Sequence, residues 1–236
     1  MEEEVFKFKN FDVRHGKGSM KVGVDAVLLG SWAGMNPKSI LDVGTGSGVI
    51  SLILAQRFPE AEITGIDIDI PSIEEASLNF KESPWPERLK AELSSFPEDL
   101  LINNKKYDLI VSNPPFFKSG IKNPSTQREK ARHQATLSIY SLIENSKELL
   151  TEKGRLSMIF PLEYEENIKE QEKKSGLNLN RLCRIRDREG KKGKRVMMEF
   201  SMEKKADCMV EELILFEGGI PTDDYKRLCS PFYLKW

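Results

Sequence analysis

Ser112-Asn113-Pro114-Pro115-Phe116-Phe117 gathers the groups in this chain best suited to chemistry. The Asn113 carboxamide oxygen and the Pro114 carbonyl are both hydrogen-bond acceptors, and Phe116 offers a flat apolar face. Such a set suits a planar substrate bearing an NH2 group. Two successive prolines lack N–H donors and cannot continue a central strand. A residue before proline is also pushed out of the helical region. The apolar run Leu109-Ile110-Val111 therefore ends in a stiff loop at the C-terminal end of a buried strand. In an open α/β sheet that edge is where ligands bind. The plain alternative is a strand-ending turn with a core aromatic.

A second signal is Asp42-Val43-Gly44-Thr45-Gly46-Ser47-Gly48, which follows an apolar strand and opens a helix. Gly44, Gly46 and Gly48 permit tight turning and close approach of a ligand to the backbone. A dinucleotide fingerprint would need glycine where Val49 stands, and a Walker A loop would need Gly-Lys-Ser/Thr. Asp42 would repel a pyrophosphate but could hold an ammonium group. Asp67 lies about twenty residues further on, at the end of a second strand, where a carboxylate can accept hydrogen bonds from ribose hydroxyls. Its neighbour Asp69 reads as a helix N-terminal acid stabilised by the macrodipole.

The elements that must position these groups follow from periodicity. Strands are expected at residues 39–43, 62–66, 89–93, 109–111 and 155–160, with Gly154 marking the turn into the last of these. Helices are expected at 49–58, 71–80, 97–101, 137–150 and 163–175. This alternation gives a parallel sheet with crossover helices. Later strands at 177–185, 195–202 and 211–216 have no helices between them and suggest an antiparallel edge. Upstream, residues 5–13 read as a hairpin arm and 24–32 as a helix with Asp25 as candidate N-cap. Residues 1–236 form one domain, in which 1–35 are an appendage over the ligand site and 36–236 the catalytic core. A long polar loop, 118–134, is expected to be functional or mobile. Residues 225–236 pack back on the surface.

Composition sets the outer bounds. With 39% apolar and 31% charged residues, the chain fits a globular protein that needs no membrane. A net charge of −1 argues against broad nonspecific nucleic-acid binding, though not against a local basic patch. Cys183, Cys208 and Cys229 are far apart and read as free thiols in a reducing compartment, the cytoplasm. With only His15 and His133, no metal site is expected. The start, MEEEVFKFKN, has no signal-peptide core, and no obligate protein partner is apparent.

DVGTGSG, GIDID and IVSNPPFF, in that order, resemble the class I S-adenosylmethionine-dependent methyltransferases. The resemblance implies a Rossmann-like α/β fold: a mostly parallel seven-stranded sheet, helices on both faces and an antiparallel C-terminal edge. It implies that Asp42, Gly44, Gly46, Gly48 and Asp67 hold S-adenosylmethionine. Many members carry an acid after the third strand for the cofactor's adenine; here Ser95 and Phe96 stand in that place. The N-P-P-F motif implies methylation of a planar amino nitrogen, with Asn113, Pro114, Pro115 and Phe116 as the catalytic loop and Phe116 stacking on the base.

More closely, the chain resembles the bacterial tRNA1(Val) adenine-37 N6-methyltransferases. The residues that carry this are FKFKNFDV, MKVGVDAVLLGSWA, NPPFF, KARHQATLS at Lys130–Ser138 and FYLKW at Phe232–Trp236. The implied substrate is tRNA and the implied product S-adenosylhomocysteine. Arg132 and His133, near the N-P-P-F loop, become candidates to touch the target nucleotide, although His133 could equally cap the next helix. In the basic run from Arg181 to Arg195, Arg186, Arg188, Lys191 and Lys192 are candidates for RNA phosphates, which fix position without reading sequence. A solvated hairpin explains that run equally well. Two rival functions are N5-methylation of a protein glutamine and a noncatalytic, cofactor-binding RNA chaperone. The basic segments favour RNA over glutamine.

Overall fold

A computed structural model describes residues 4–16, 21–34, 36–114 and 139–236. β1 (Glu4–Lys7) and β2 (Asp12–His15) pair as an antiparallel hairpin, followed by α1 (Val24–Trp32). Strand and helix then alternate: β3 (Ser39–Val43), α2 (Val49–Arg57), β4 (Glu62–Asp67), α3 (Ile70–Glu82), β5 (Leu89–Leu93), α4 (Glu98–Leu101) and β6 (Tyr107–Ser112). Next come α5 (Ile139–Ser146), β7 (Leu150–Pro161), α6 (Glu165–Ser175) and β8 (Asn178–Arg188). The chain closes with β9 (Arg195–Ser201), β10 (Met209–Glu217), β11 (Ile220–Pro221) and α7 (Asp223–Cys229).

The main sheet has the order β11-β10-β8-β9-β7-β6-β3-β4-β5. β5, β4, β3, β6 and β7 are mutually parallel. β3 is hydrogen-bonded on both sides and covered on both faces, which is why it reads as an unbroken buried run. Alternate residues divide between two cores. Ile40, Ile63, Leu109 and Val111 face the core under α1 and α2; Leu41, Ile66 and Ile110 face the core under α5 and α6.

α2 is buried from Val49 to Ala55 because the sheet lies on one side and α1 on the other. The helices approach closely at Gly30, where a Cβ would stand 2.9 Å from Ile53 Cγ2. Arg57 Nη1 donates to the Gly30 and Ala33 carbonyls, both at 2.7 Å, so a side chain from α2 satisfies the open end of α1. Glu199 of β9 is buried and accepts from Arg155 Nη1 (2.6 Å), Ser157 Oγ (3.0 Å) and the Gly34 N–H (3.1 Å). That network ties the segment after α1 to the far half of the sheet. The two ends of the chain meet: Phe8 stacks on Tyr233, and the Lys9 N–H donates to the Phe232 carbonyl at 2.8 Å.

Several details differ from the expectations. The sheet has nine strands rather than seven, because β10 and β11 extend it. β9 supplies the expected antiparallel reversal, but β10 passes beyond β8 and pairs with it in parallel. Asp25 is not the N-cap of α1; Gly23 is, and the Asp25 carboxylate pairs instead with Arg195. Gly154 does not precede the fifth strand but lies inside β7, where the register with β6 shifts. A Cβ there would meet the Tyr107 carbonyl oxygen at 2.7 Å, so the site needs glycine for backbone approach. No described helix is long and apolar enough to cross a membrane.

Candidate active site

The C-terminal ends of β3, β4, β5 and β6 lie along one edge of the sheet, since these strands are parallel. At the end of β3 the chain turns through Gly44, Gly46 and Gly48 at φ +73°, +54° and +80°, the left-handed region that favours glycine. The Gly44 and Thr45 N–H groups both donate to the Ile66 carbonyl at 2.9 Å, and the Gly48 N–H donates to Thr45 O at 2.9 Å. The loop is thereby held as a tight cradle. A Cβ on Gly44 would find no atom of the described residues within 4 Å, so among these the space above it is open. A Cβ on Gly48 would stand 2.4 Å from the Phe80 ring, which makes that glycine a packing residue.

Asp42 is fully buried beneath this cradle. Its Oδ2 accepts from Thr45 Oγ1 and Ser51 Oγ, each at 2.8 Å, while Oδ1 has no partner among the described residues. Burial pushes its carboxyl up to about 6, against the two hydroxyl donors that favour the ionised form. Gly65 of β4 makes room for Thr45: a Cβ there would lie 2.6 Å from Thr45 Oγ1.

Asp67 closes the next strand. Its Oδ2 accepts the Gly46 N–H at 3.1 Å and its Oδ1 the Asp69 N–H at 3.0 Å. Burial raises its carboxyl above the usual range, opposed by those backbone donors. Asp69 caps α3 through the Ser72 N–H and hydroxyl, as its position after the strand suggested. The Ser94 N–H donates to the Asp67 carbonyl at 3.0 Å, which brings Ser95 and Phe96 alongside. Asp99 folds back to accept the Ser95 N–H (2.8 Å) and hydroxyl (3.1 Å), and these bonds hold its carboxyl below the ordinary range. An acid thus does reach the end of the third core strand, but from four residues after Ser95.

Val43 of β3 and Ser112 of β6 are paired residues, and Ser112 Oγ donates to the Val43 carbonyl at 2.8 Å. Gly44 and Asn113 are the next residues on each strand, so they begin their loops about one strand spacing, roughly 4.8 Å, apart. Asn113 is half-buried and Pro114 buried. Pro115, Phe116, Arg132 and His133 lie outside the described residues.

The basic hairpin stands apart from this cluster but on the same edge. β8 runs in the direction of β6, because β9 is antiparallel to both β7 and β8. The turn after Arg188 therefore rises on the side of Asn113. Arg186 is not a free cation: its Nε pairs with Glu212 Oε1 at 2.7 Å. Arg188, Lys191 and Lys192 are exposed and make no ion pair among the described residues.

Sequence reading missed Thr45, Ser51, Gly65 and Asn79. Asn79 Nδ2 donates to the Ser47 carbonyl of the loop, and the same amide bonds both backbone groups of Arg14 in β2. Asn79 shares the buried face of α3 with Ser72, Glu75, Ala76 and Phe80, a face too polar to stand out in the sequence.

A cationic ligand carrying a ribose fits these groups: a buried carboxylate oxygen and a glycine cradle, both without a partner or cover among the described residues, and a second acid at the neighbouring strand end. Comparison with known proteins bears on this. Residues 24–175 match the methyltransferase small domain family. The chain is 38% identical to a tRNA1(Val) (adenine(37)-N6)-methyltransferase of Porphyromonas gingivalis, over 99% of this chain and 96% of that protein. It is 37% identical to the protein of the same name in Vibrio campbellii, over 98% and 95%. Among solved structures it resembles a protein described as a predicted O-methyltransferase from Agrobacterium tumefaciens. The TM-score is 0.68 at 18% identity, covering 88% of this chain and 96% of that one, a likeness of fold.

Proposed function

The chain belongs to the methyltransferase small domain family, among the tRNA1(Val) (adenine(37)-N6)-methyltransferases, and on that premise we propose its reaction and the roles of its residues. It transfers a methyl group from S-adenosylmethionine to the exocyclic N6 of an adenine in tRNA, at position 37 of tRNA1(Val). The observation that carries the site reading is the Val43–Ser112 pairing, which sets the Asn113 loop beside the glycine cradle.

Gly44, Gly46 and Gly48 would hold the cofactor's amino-acid end, with Asp42 beneath it and Asp67 placed for the ribose hydroxyls. Ser95 and Phe96 border the adenine side. When bound, S-adenosylmethionine supplies an electrophilic methyl on a sulfonium, so the chain needs to furnish no covalent nucleophile. The adenine amine is a poor nucleophile because its lone pair is delocalised into the ring. Asn113 Oδ1 and the Pro114 carbonyl would accept hydrogen bonds from its two N–H groups, favour a more tetrahedral nitrogen and hold it in line, mostly a positioning effect; the methylated nitrogen then gives up one proton to water, and S-adenosylhomocysteine leaves. Pro115 stiffens that loop and Phe116 stacks on the flipped base. Arg132 and His133 touch the target nucleotide. Residues 1–35 act as an appendage bearing on the cofactor loop, a reading supported by the Asn79 bridge. A tRNA substrate supports a cytoplasmic location for the reaction.

The basic hairpin on the same edge favours RNA over a protein glutamine. The test is methyl transfer to total RNA from cells lacking the enzyme, with mapping of the modified nucleoside. N6-methyladenosine at position 37 of tRNA1(Val) is expected. Labelled protein with unlabelled RNA would move the assignment to glutamine.

A further inference from the structure

We propose that a groove at the β8–β9 hairpin holds tRNA backbone phosphates several nucleotides from the target adenine, and so sets the length of RNA the enzyme engages. The inference rests on tRNA adenine as the substrate. The groove, about 350 Å3, is lined by Leu162, Arg184, Arg186, Lys191, Lys192 and Glu212.

Its cations divide into two kinds. Arg184 is gripped by Glu165 at 2.5 and 2.9 Å, and Arg186 by Glu212 at 2.7 Å. These pairs shape the walls and leave little net charge. Lys191 and Lys192, with Arg188 at the rim, are exposed and have no ion-pair partner among the described residues. Glu189 is the one carboxylate among them in the turn, so the tip keeps a net positive charge. Phosphate is the ligand such a rim fits.

The rim is mounted on the sheet. The Lys194 N–H donates to Ile185 O at 3.2 Å, and the Leu162 N–H donates to Lys194 O at 2.9 Å, which fastens the hairpin to the end of β7. Gly193 permits this approach, since a Cβ there would be 3.2 Å from both Ile185 O and Leu162 Cδ2. The position relative to Asn113 is therefore set by strand geometry. Ser112, Met158, Met198 and Leu182 lie at one level across four strands. Three strand spacings of roughly 4.8 Å put β8 on the order of 14 Å to the side of β6. Arg184 and Arg186 stand two and four residues beyond Leu182, or about 7–13 Å above that level. At about 3.4 Å of rise per stacked nucleotide, the groove lies on the order of four or five nucleotides from the base at Asn113.

The test uses the anticodon stem-loop of tRNA1(Val) with single neutral methylphosphonate linkages placed at each position in turn. Binding is measured for the wild-type protein and for Lys191→Gln/Lys192→Gln. Linkages on the order of four or five nucleotides to one side of the target should weaken the wild type several-fold and leave the variant unaffected. The slope of log K against log salt should fall by about 2 in the variant, about 1 per lost phosphate contact. Calorimetric S-adenosylmethionine affinity at the wild-type value shows that the variant is folded. A variant with the wild-type salt slope, or equally sensitive to the same linkages, overturns the groove alone. A wild-type protein that methylates no tRNA adenine overturns the substrate reading beneath it.

Discussion

Asn79 joins α3 to the cofactor loop: its Nδ2 donates to the Ser47 carbonyl at 2.8 Å. The same side chain, 1% exposed, accepts the Arg14 N–H and donates to the Arg14 carbonyl, each at 2.9 Å. One amide thus serves the N-terminal hairpin and the glycine loop together. Asn79→Ala would leave the buried Ser47 carbonyl without this donor, costing about 1–3 kcal/mol, and would remove two part-buried bonds to the Arg14 backbone, each costing less. The expected result is a lower melting temperature and a raised KM for S-adenosylmethionine, with kcat at saturation changed less. A folded Asn79→Ala protein with wild-type cofactor affinity in calorimetry would show that the hairpin and loop are not coupled.

Asp42 predicts a pH dependence of cofactor binding. Its carboxyl is raised to about 6 by burial, so the free protein holds a proton there below that pH. A cationic ligand favours the ionised form and lowers this value on binding, which releases a proton. Affinity should therefore fall as pH drops through about 6 and level off above it. The limiting slope is tenfold per pH unit for one proton. Asp42→Asn should flatten the profile. Calorimetry between about pH 5 and 8, in buffers of different ionisation enthalpy, measures both affinity and proton release.

The glycines of the loop should behave differently from one another. Gly48→Ala puts a methyl 2.4 Å from the Phe80 ring at φ +80°, so it should lower stability through both overpacking and strain. Gly44→Ala carries the strain, φ +73°, but meets nothing within 4 Å among the described residues. Its thermal loss should be smaller, about 1–2 kcal/mol, and its larger effect should be on S-adenosylmethionine affinity. Thermal melts and calorimetry on the two variants separate these effects. Equal melting losses with unchanged affinity in Gly44→Ala would remove that glycine from the cofactor cradle.

Asn113→Ala tests the chemistry. Loss of an acceptor that positions the target amine should lower kcat by roughly 10²-fold or more. Binding of tRNA should change much less, since backbone phosphates supply most of the affinity. Single-turnover rates at saturating enzyme are the measurement. A near wild-type rate would sink the proposed role of the loop.

What could be read from sequence was what neighbouring residues impose on one another. Three glycines after an apolar run dictate a left-handed turn, and Asn-Pro-Pro dictates a strand stop. The strand at Ser39–Val43 was legible because a doubly covered strand leaves an uninterrupted apolar run. The capping role of Asp69 was legible because the acid and the helix it caps are adjacent. Partners distant in sequence were decided by the order in which strands lie side by side, which spacing along the chain does not encode. Asp25 looks like a cap until β9 places Arg195 against it. Arg186 looks like a free cation until β10, pairing in parallel beyond β8, brings Glu212 to it. Asp42 could be named as a ligand from its place before the glycines. Only the tertiary structure buries it under Thr45 and Ser51, with one oxygen unpartnered among the described residues, and that burial is what pushes its carboxyl up to about 6.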